Sequence, residues 1–133
     1  MAKILVVDDE PESLFLYETI FSKGGYEVTC LASPIKAIER LKTEAFDLVI
    51  SDYYMPQMNG LEFYRNIRKN KVYDGQFIFV TGRIETNQNS LKKEPGIIEV
   101  FHKPMPFNEI LKFLNKNIRP AVVGKKLGPK KSQ

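Results

Sequence analysis

Three carboxylates, a hydroxyl and an ammonium stand at comparable places in this chain. Asp8 and Asp9, Asp52, Thr81 and Lys103 each lie at or just beyond the end of a short apolar run, the runs being Ile4–Val7, Leu48–Ile50, Phe77–Val80 and Ile97–Phe101. If the runs are strands of one parallel sheet, these side chains converge on one crevice, because open α/β sheets bind ligands outside the carboxyl ends of their strands. Three like charges at close range are mutually destabilising unless a cation or proton compensates them, and the single lysine supplies one positive charge. A divalent cation is implied. Oxygen donors without cysteine or histidine select a hard ion, and a shallow site with few carboxylates suits Mg²⁺, which keeps several waters and binds phosphate oxygens readily. The same set suits phosphoryl transfer to a carboxylate: the metal and the lysine neutralise phosphoryl oxygens, the hydroxyl donates to another, and a carboxylate oxygen attacks. Asp52, central in the sheet, is best placed to attack, and the adjacent Asp8 and Asp9 suit metal binding better. Taken alone, that pair could equally cap the helix that follows it; Asp52 and Lys103 at their places favour the metal site.

These residues need a scaffold that brings strand ends together. The four runs are rich in β-branched and aromatic residues, too short for helices, and mostly without polar alternation, which is the pattern of strands covered on both faces. A weaker, alternating run at Tyr26–Leu31 reads as an edge strand. Between the runs lie stretches with helical spacing, clearest at Phe107, Ile110, Leu111, Leu114 and Ile118. Other helices are expected at about 11–23, ended by Gly24-Gly25, at 34–43, with Ser33 as N-cap and Pro34 in the first turn, and at 61–70. The fourth, around 83–93, is the weakest, with only Ile84 and Leu91 apolar. Strand and helix thus alternate five times, which with right-handed crossovers gives a parallel sheet between two helical layers, a three-layer α/β domain.

At 133 residues, 43% of them hydrophobic, the chain has room for one domain with an ordinary core. No apolar run approaches the roughly 18 to 20 residues of a membrane span, and Ile4–Val7 is too short for a signal peptide, so a cytoplasmic location is expected. The lone Cys30 cannot form an internal disulfide and reads as a small apolar residue, and the lone His102 reads as structural or surface. Of the 20 basic residues, five lie in residues 119–133 with no acidic residue beside them, which leaves 15 against all 16 acidic residues in residues 1–118. The expected organisation is a nearly neutral domain over 1–118 and a flexible basic tail over 119–133, whose charges suit weak contact with anionic surfaces.

The segments Val7-Asp8-Asp9-Glu10, Asp52-Tyr53-Tyr54-Met55-Pro56-Gln57-Met58-Asn59-Gly60, Val80-Thr81-Gly82 and Lys103-Pro104 resemble, in order and spacing, those of the receiver domains of two-component response regulators. The likeness runs from about Lys3 to Ile118. It implies a flavodoxin-like, doubly wound five-stranded parallel sheet of order 2-1-3-4-5. It further implies that Asp52 accepts a phosphoryl group from a histidine kinase, a phosphotransfer protein or a small phosphodonor. Asp9, Asp52 and the backbone carbonyl of Tyr54 would bind Mg²⁺, with Asp8 acting mainly through metal-bound water. Lys103 would contact the phosphoryl group, Thr81 would move to hydrogen-bond it, and the Lys103-Pro104 peptide would often be cis. Tyr54 and Arg83, two residues after Asp52 and Thr81, would border the site and slow the attacking water. One departure affects signalling: Val100 stands three residues before Lys103, where many receivers carry a reorienting aromatic ring, and Phe101 beside it should face the other side of the sheet.

With only 15 residues after the last helix, no DNA-binding or catalytic output domain is expected there, so the reading is a stand-alone receiver acting through a protein partner. Phe113, off the buried stripe of the last helix, is either flanking packing or part of a partner surface. Two other classes compete. A hydrolase of the haloacid dehalogenase type needs an Asp-x-Asp nucleophile after the first strand, and Asp8-Asp9-Glu10-Pro11 lacks it. A phosphorylation-independent receiver-like module would be marked by loss of an acidic residue or the lysine, and none is lost.

Overall fold

The computed structural model describes residues 2–82, 88–104 and 106–118, Gln88 at its backbone alone. Five strands, β1 (Lys3–Val7), β2 (Glu27–Leu31), β3 (Leu48–Asp52), β4 (Gln76–Thr81) and β5 (Ile97–His102), alternate with five helices, α1 (Pro11–Lys23), α2 (Pro34–Thr43), α3 (Gly60–Lys69), α4 (Gln88–Lys92) and α5 (Phe107–Asn117). The strands are all parallel, in the order β2-β1-β3-β4-β5 expected from the sequence. The order reverses between β1 and β3, so the connections leaving these two strands depart in opposite directions and open a crevice at their carboxyl ends.

Period-2 alternation divides the core. Leu5, Val7, Val49, Phe77 and Phe79 face α2, α3 and α4, meeting Ala37, Ile38, Leu41, Phe63, Ile67 and Leu91. Ile4, Val6, Leu48, Ile50, Ile78 and Val80 face α1 and α5, meeting Tyr17, Phe21, Ile110 and Leu114. β2 is the edge strand foreseen, with no residue fully buried.

Local chemistry sets the helix ends. Ser33 Oγ accepts from the Lys36 N–H and Pro34 opens α2. Asn59 and Glu62 form a reciprocal capping box at 2.8 Å each way, which starts α3 at Gly60, one residue before the sequence estimate. Gly25, at φ +94°, turns the chain out of α1. α4 is five residues long, held by buried Leu91 and by the Lys92 Nζ–Glu99 Oε1 pair at 2.6 Å, and residues 83–87 of the expected helix lie outside the described residues. The β4–β5 register slips between Phe77 and Ile78, so that Ile97 and Val100 share one face while Ile98 and Phe101 share the other. Phe101 therefore faces away from Val100, as expected, and meets Phe113 of α5 edge-on at 5.8 Å. No helix among the described residues is long and apolar enough to cross a membrane.

Candidate functional site

Strand register sets the crevice. Val7 of β1 pairs with Ser51 of β3, which puts Asp8 beside Asp52 one step further on. Asp52 pairs with Val80 and Thr81 with His102, so the ends of β4 and β5 complete the row. The Lys103 N–H donates to the Thr81 carbonyl at 2.8 Å and the Tyr53 N–H to the Val80 carbonyl at 3.0 Å, fixing the loops that leave β5 and β3. The loop after β3 doubles back until the Gly60 N–H reaches the Tyr53 carbonyl. A Cβ on Gly60 would lie 2.6 Å from the Asp52 carbonyl oxygen and 2.9 Å from Tyr53 Cα, so only glycine fits there.

The charged groups converge. Lys103 Nζ lies 3.0 Å from Asp52 Oδ2, 3.0 Å from Glu10 Oε1 and 3.5 Å from Asp8 Oδ2. Asp8 Oδ1 also accepts the Glu10 N–H at 2.9 Å, and Asp52 Oδ1 lies 3.4 Å from the Tyr54 nitrogen. Asp8, Asp52 and Thr81 are buried. Burial pushes the Asp8 carboxyl up to about 6, and the Asp52 charge adds to the rise while the Glu10 N–H and Lys103 oppose it. Burial also raises Asp52, outweighing the hydrogen bond and field of Lys103 that hold it down. For Lys103 burial favours the neutral amine, but the bonds to Glu10 and Asp52 and the surrounding carboxylate fields win and raise it. Glu10, exposed and bonded to Lys103, is lowered. Two buried carboxylates and one exposed carboxylate thus face one ammonium, an uncompensated negative excess.

An open pocket of about 350 Å³, lined by Asp9, Glu10, Asp52, Tyr54, Gly82 and Lys103, covers these groups. It admits a phosphoryl group with several waters, at roughly 30 Å³ per water. Asp8, Glu10 and Asp52 each offer a carboxylate oxygen within 4.8 Å of the others. This all-oxygen set, with its surplus charge, fits a hard divalent cation. Asp9 lines the pocket outside that trio, and Arg83 lies outside the described residues. Glu10 carries the group that sequence reasoning missed. It occurs in the motif, but its role follows from its place as α1 N-cap before Pro11, where the side chain makes no cap bond and reaches Lys103 instead. Cys30, its thiol pushed up to about 12 by burial and 3.5 Å from the Leu14 carbonyl, is no nucleophile near neutral pH.

The sequence model of the response regulator receiver domain family matches residues 4–115, and the chain belongs to that family of two-component signalling domains. Among curated proteins it is similar to the response regulator SaeR of Staphylococcus aureus, 28% identical over 115 residues that make up 86% of this chain and 50% of SaeR. The chain spans about half the length of the curated relatives it matches. Among solved structures it resembles TrrA of Thermotoga maritima in complex with Mg(2+)-BeF, at 31% identity and TM-score 0.74 over 87% of this chain and 98% of that one. It also resembles the chemotaxis protein CheY4 of Vibrio cholerae, at 29% identity and TM-score 0.78 with the same coverage.

Proposed function

We propose that this chain is a phosphoacceptor, taking a phosphoryl group on Asp52 from a histidine kinase or phosphotransfer protein and signalling through a phosphorylation-dependent protein contact in the cytoplasm. The observation that carries this reading is the ammonium of Lys103 at 3.0 Å from a buried Asp52 carboxylate that also faces an open, acid-lined pocket.

A carboxylate oxygen of Asp52 attacks phosphorus; a P–O bond forms, the P–N bond to the donor imidazole breaks, and the imidazole leaves with its electron pair and takes a proton from solvent. Lys103 follows the phosphoryl oxygens and holds their charge inside the pocket. Thr81, at the end of β4, supplies a hydroxyl to another oxygen by a short movement. Asp9, Asp52 and the Tyr54 carbonyl would hold Mg²⁺, with Asp8 behind them. When bound, the ion offsets the surplus carboxylate charge and polarises the transferred group. Tyr54, on the pocket wall, and Arg83 would restrict the water that hydrolyses the acyl phosphate. The basic residues 119–133 would add weak, salt-sensitive attraction to anionic surfaces.

Incubation with Mg²⁺ and a small phosphodonor tests the reading. Incorporation of one phosphoryl group by the wild type, none by Asp52→Asn and none after chelation is the expected result; undiminished incorporation by Asp52→Asn would remove the assignment.

A further inference from the structure

An ammonium has three N–H donors, and in this site three carboxylates surround the one on Lys103. They are not equivalent. The side chains of Asp8 and Asp52 are 1% and 7% exposed, whereas that of Glu10 is 61% exposed. A phosphoryl group arriving on Asp52 brings new oxygens, and Lys103 can reach them only by giving up an acceptor it already has. Giving up Asp8 or Asp52 strips a buried carboxylate of its counter-charge, which is costly. Giving up Glu10 returns an exposed carboxylate to water, and exposed ion pairs are weak.

We infer that Glu10 is the exchangeable partner of Lys103, a positioning residue that occupies the lysine in the unphosphorylated protein and slows phosphoryl gain until it is displaced. The backbone supports this role. Glu10 sits in extended conformation, φ −95° and ψ 115°, between Asp9 and Pro11 at the first position of α1. Its carboxylate caps nothing, and among the described residues it takes, besides Lys103, a long 3.4 Å bond from Ser13 Oγ. The side chain is thus held close to the ammonium by the fold and lightly bound elsewhere, which is what an exchangeable acceptor requires. The inference rests on Asp52 being the phosphoacceptor.

Two variants separate competition for Lys103 from simple repulsion of an anionic donor. Glu10→Gln keeps the length and one oxygen but removes the charge. Glu10→Asp keeps the charge but withdraws it by roughly 1.5 Å, one C–C bond, so that it falls short of the ammonium. Competition predicts that both variants are phosphorylated faster by a small phosphodonor, by about two- to fivefold, the range that the strength of an exposed ion pair allows. It also predicts that both shift the Lys103 Nζ resonance in ¹⁵N NMR of the metal-free protein, a reading that does not depend on phosphorylation. Acceleration in Glu10→Gln alone would show repulsion at the pocket mouth and overturn the inference, as would unchanged rates in both variants beside a wild type that labels on Asp52. A wild type that takes up no phosphoryl group would remove the Asp52 reading itself, and the role of Glu10 with it.

Discussion

Asp8 is a carboxylate that the fold buries beside another carboxylate, and its pKa of about 6 against an ordinary value of 3.8 makes it a source of instability in the metal-free protein. A carboxyl group raised in the folded state holds its proton longer there than in the unfolded chain, so stability is greatest below pH 4 as far as this group is concerned and falls as pH rises through about 6. Two pH units correspond to at most about 3 kcal/mol. Urea unfolding in the presence of a chelator should therefore show stability declining between about pH 4 and 6, and Asp8→Asn should flatten the decline and stabilise the protein at pH 7; equal slopes in the two proteins would contradict this. Tyr54 lines the pocket and Arg83 follows Thr81 by two, and the double variant Tyr54→Ala, Arg83→Ala should shorten the lifetime of the phosphorylated protein. Following phosphate release over time decides it, an unchanged decay rate being the adverse result. At this scale the carboxylates and the lysine could be read from sequence because each ends an apolar run, which in a parallel sheet fixes location. Glu10 could not, because its contact joins residues 93 positions apart and depends on the direction of a single side chain at a helix start.

Among the helices, α4 is the shortest over the described residues. Its buried anchor among the described residues is Leu91, assisted by the Lys92–Glu99 ion pair, and Val100 of β5 lies on the same face of the sheet with no ring to turn. A shift of Thr81 toward a phosphoryl group would leave space that the β4–α4 connection and α4 must fill, so a change of population is expected in residues 82–94. Hydrogen exchange with and without phosphorylation should change there; a change confined to other elements would reject this route. The scarcity of apolar residues after Gly82 points to a weak, short fourth helix, and its described part, Gln88–Lys92, is indeed short; residues 83–87 lie outside the described residues. α2 shows the opposite case, where Ser33, Pro34 and a clean apolar stripe marked both ends. The register slip in β4–β5 left no trace in Ile97-Ile98-Glu99-Val100-Phe101, because no glycine or proline marks it.

For the molecule as a whole, the charge is divided unevenly: residues 1–118 are close to neutral, and five basic residues fall after Ile118. Ile118 is itself buried and donates its N–H to the Leu114 carbonyl, and residues 119–133, which lie outside the described residues, are predicted to be dispensable for folding. Removing them should leave thermal stability and Asp52 phosphorylation intact while abolishing weak binding to random duplex DNA or anionic vesicles. That binding should fall steeply with salt, as counterion release requires. Loss of the fold on truncation, or binding insensitive to salt, would contradict this division. Of the three carboxylates gathered around Lys103, Asp52 alone is expected to take the phosphoryl group. Treatment of the labelled protein with borohydride, which reduces an aspartyl phosphate to homoserine, followed by peptide mass spectrometry, locates the acceptor. Homoserine is expected at position 52 alone; homoserine at Asp8, 5-hydroxynorvaline at Glu10, or no reduced residue in a protein that carries phosphate is the opposing result.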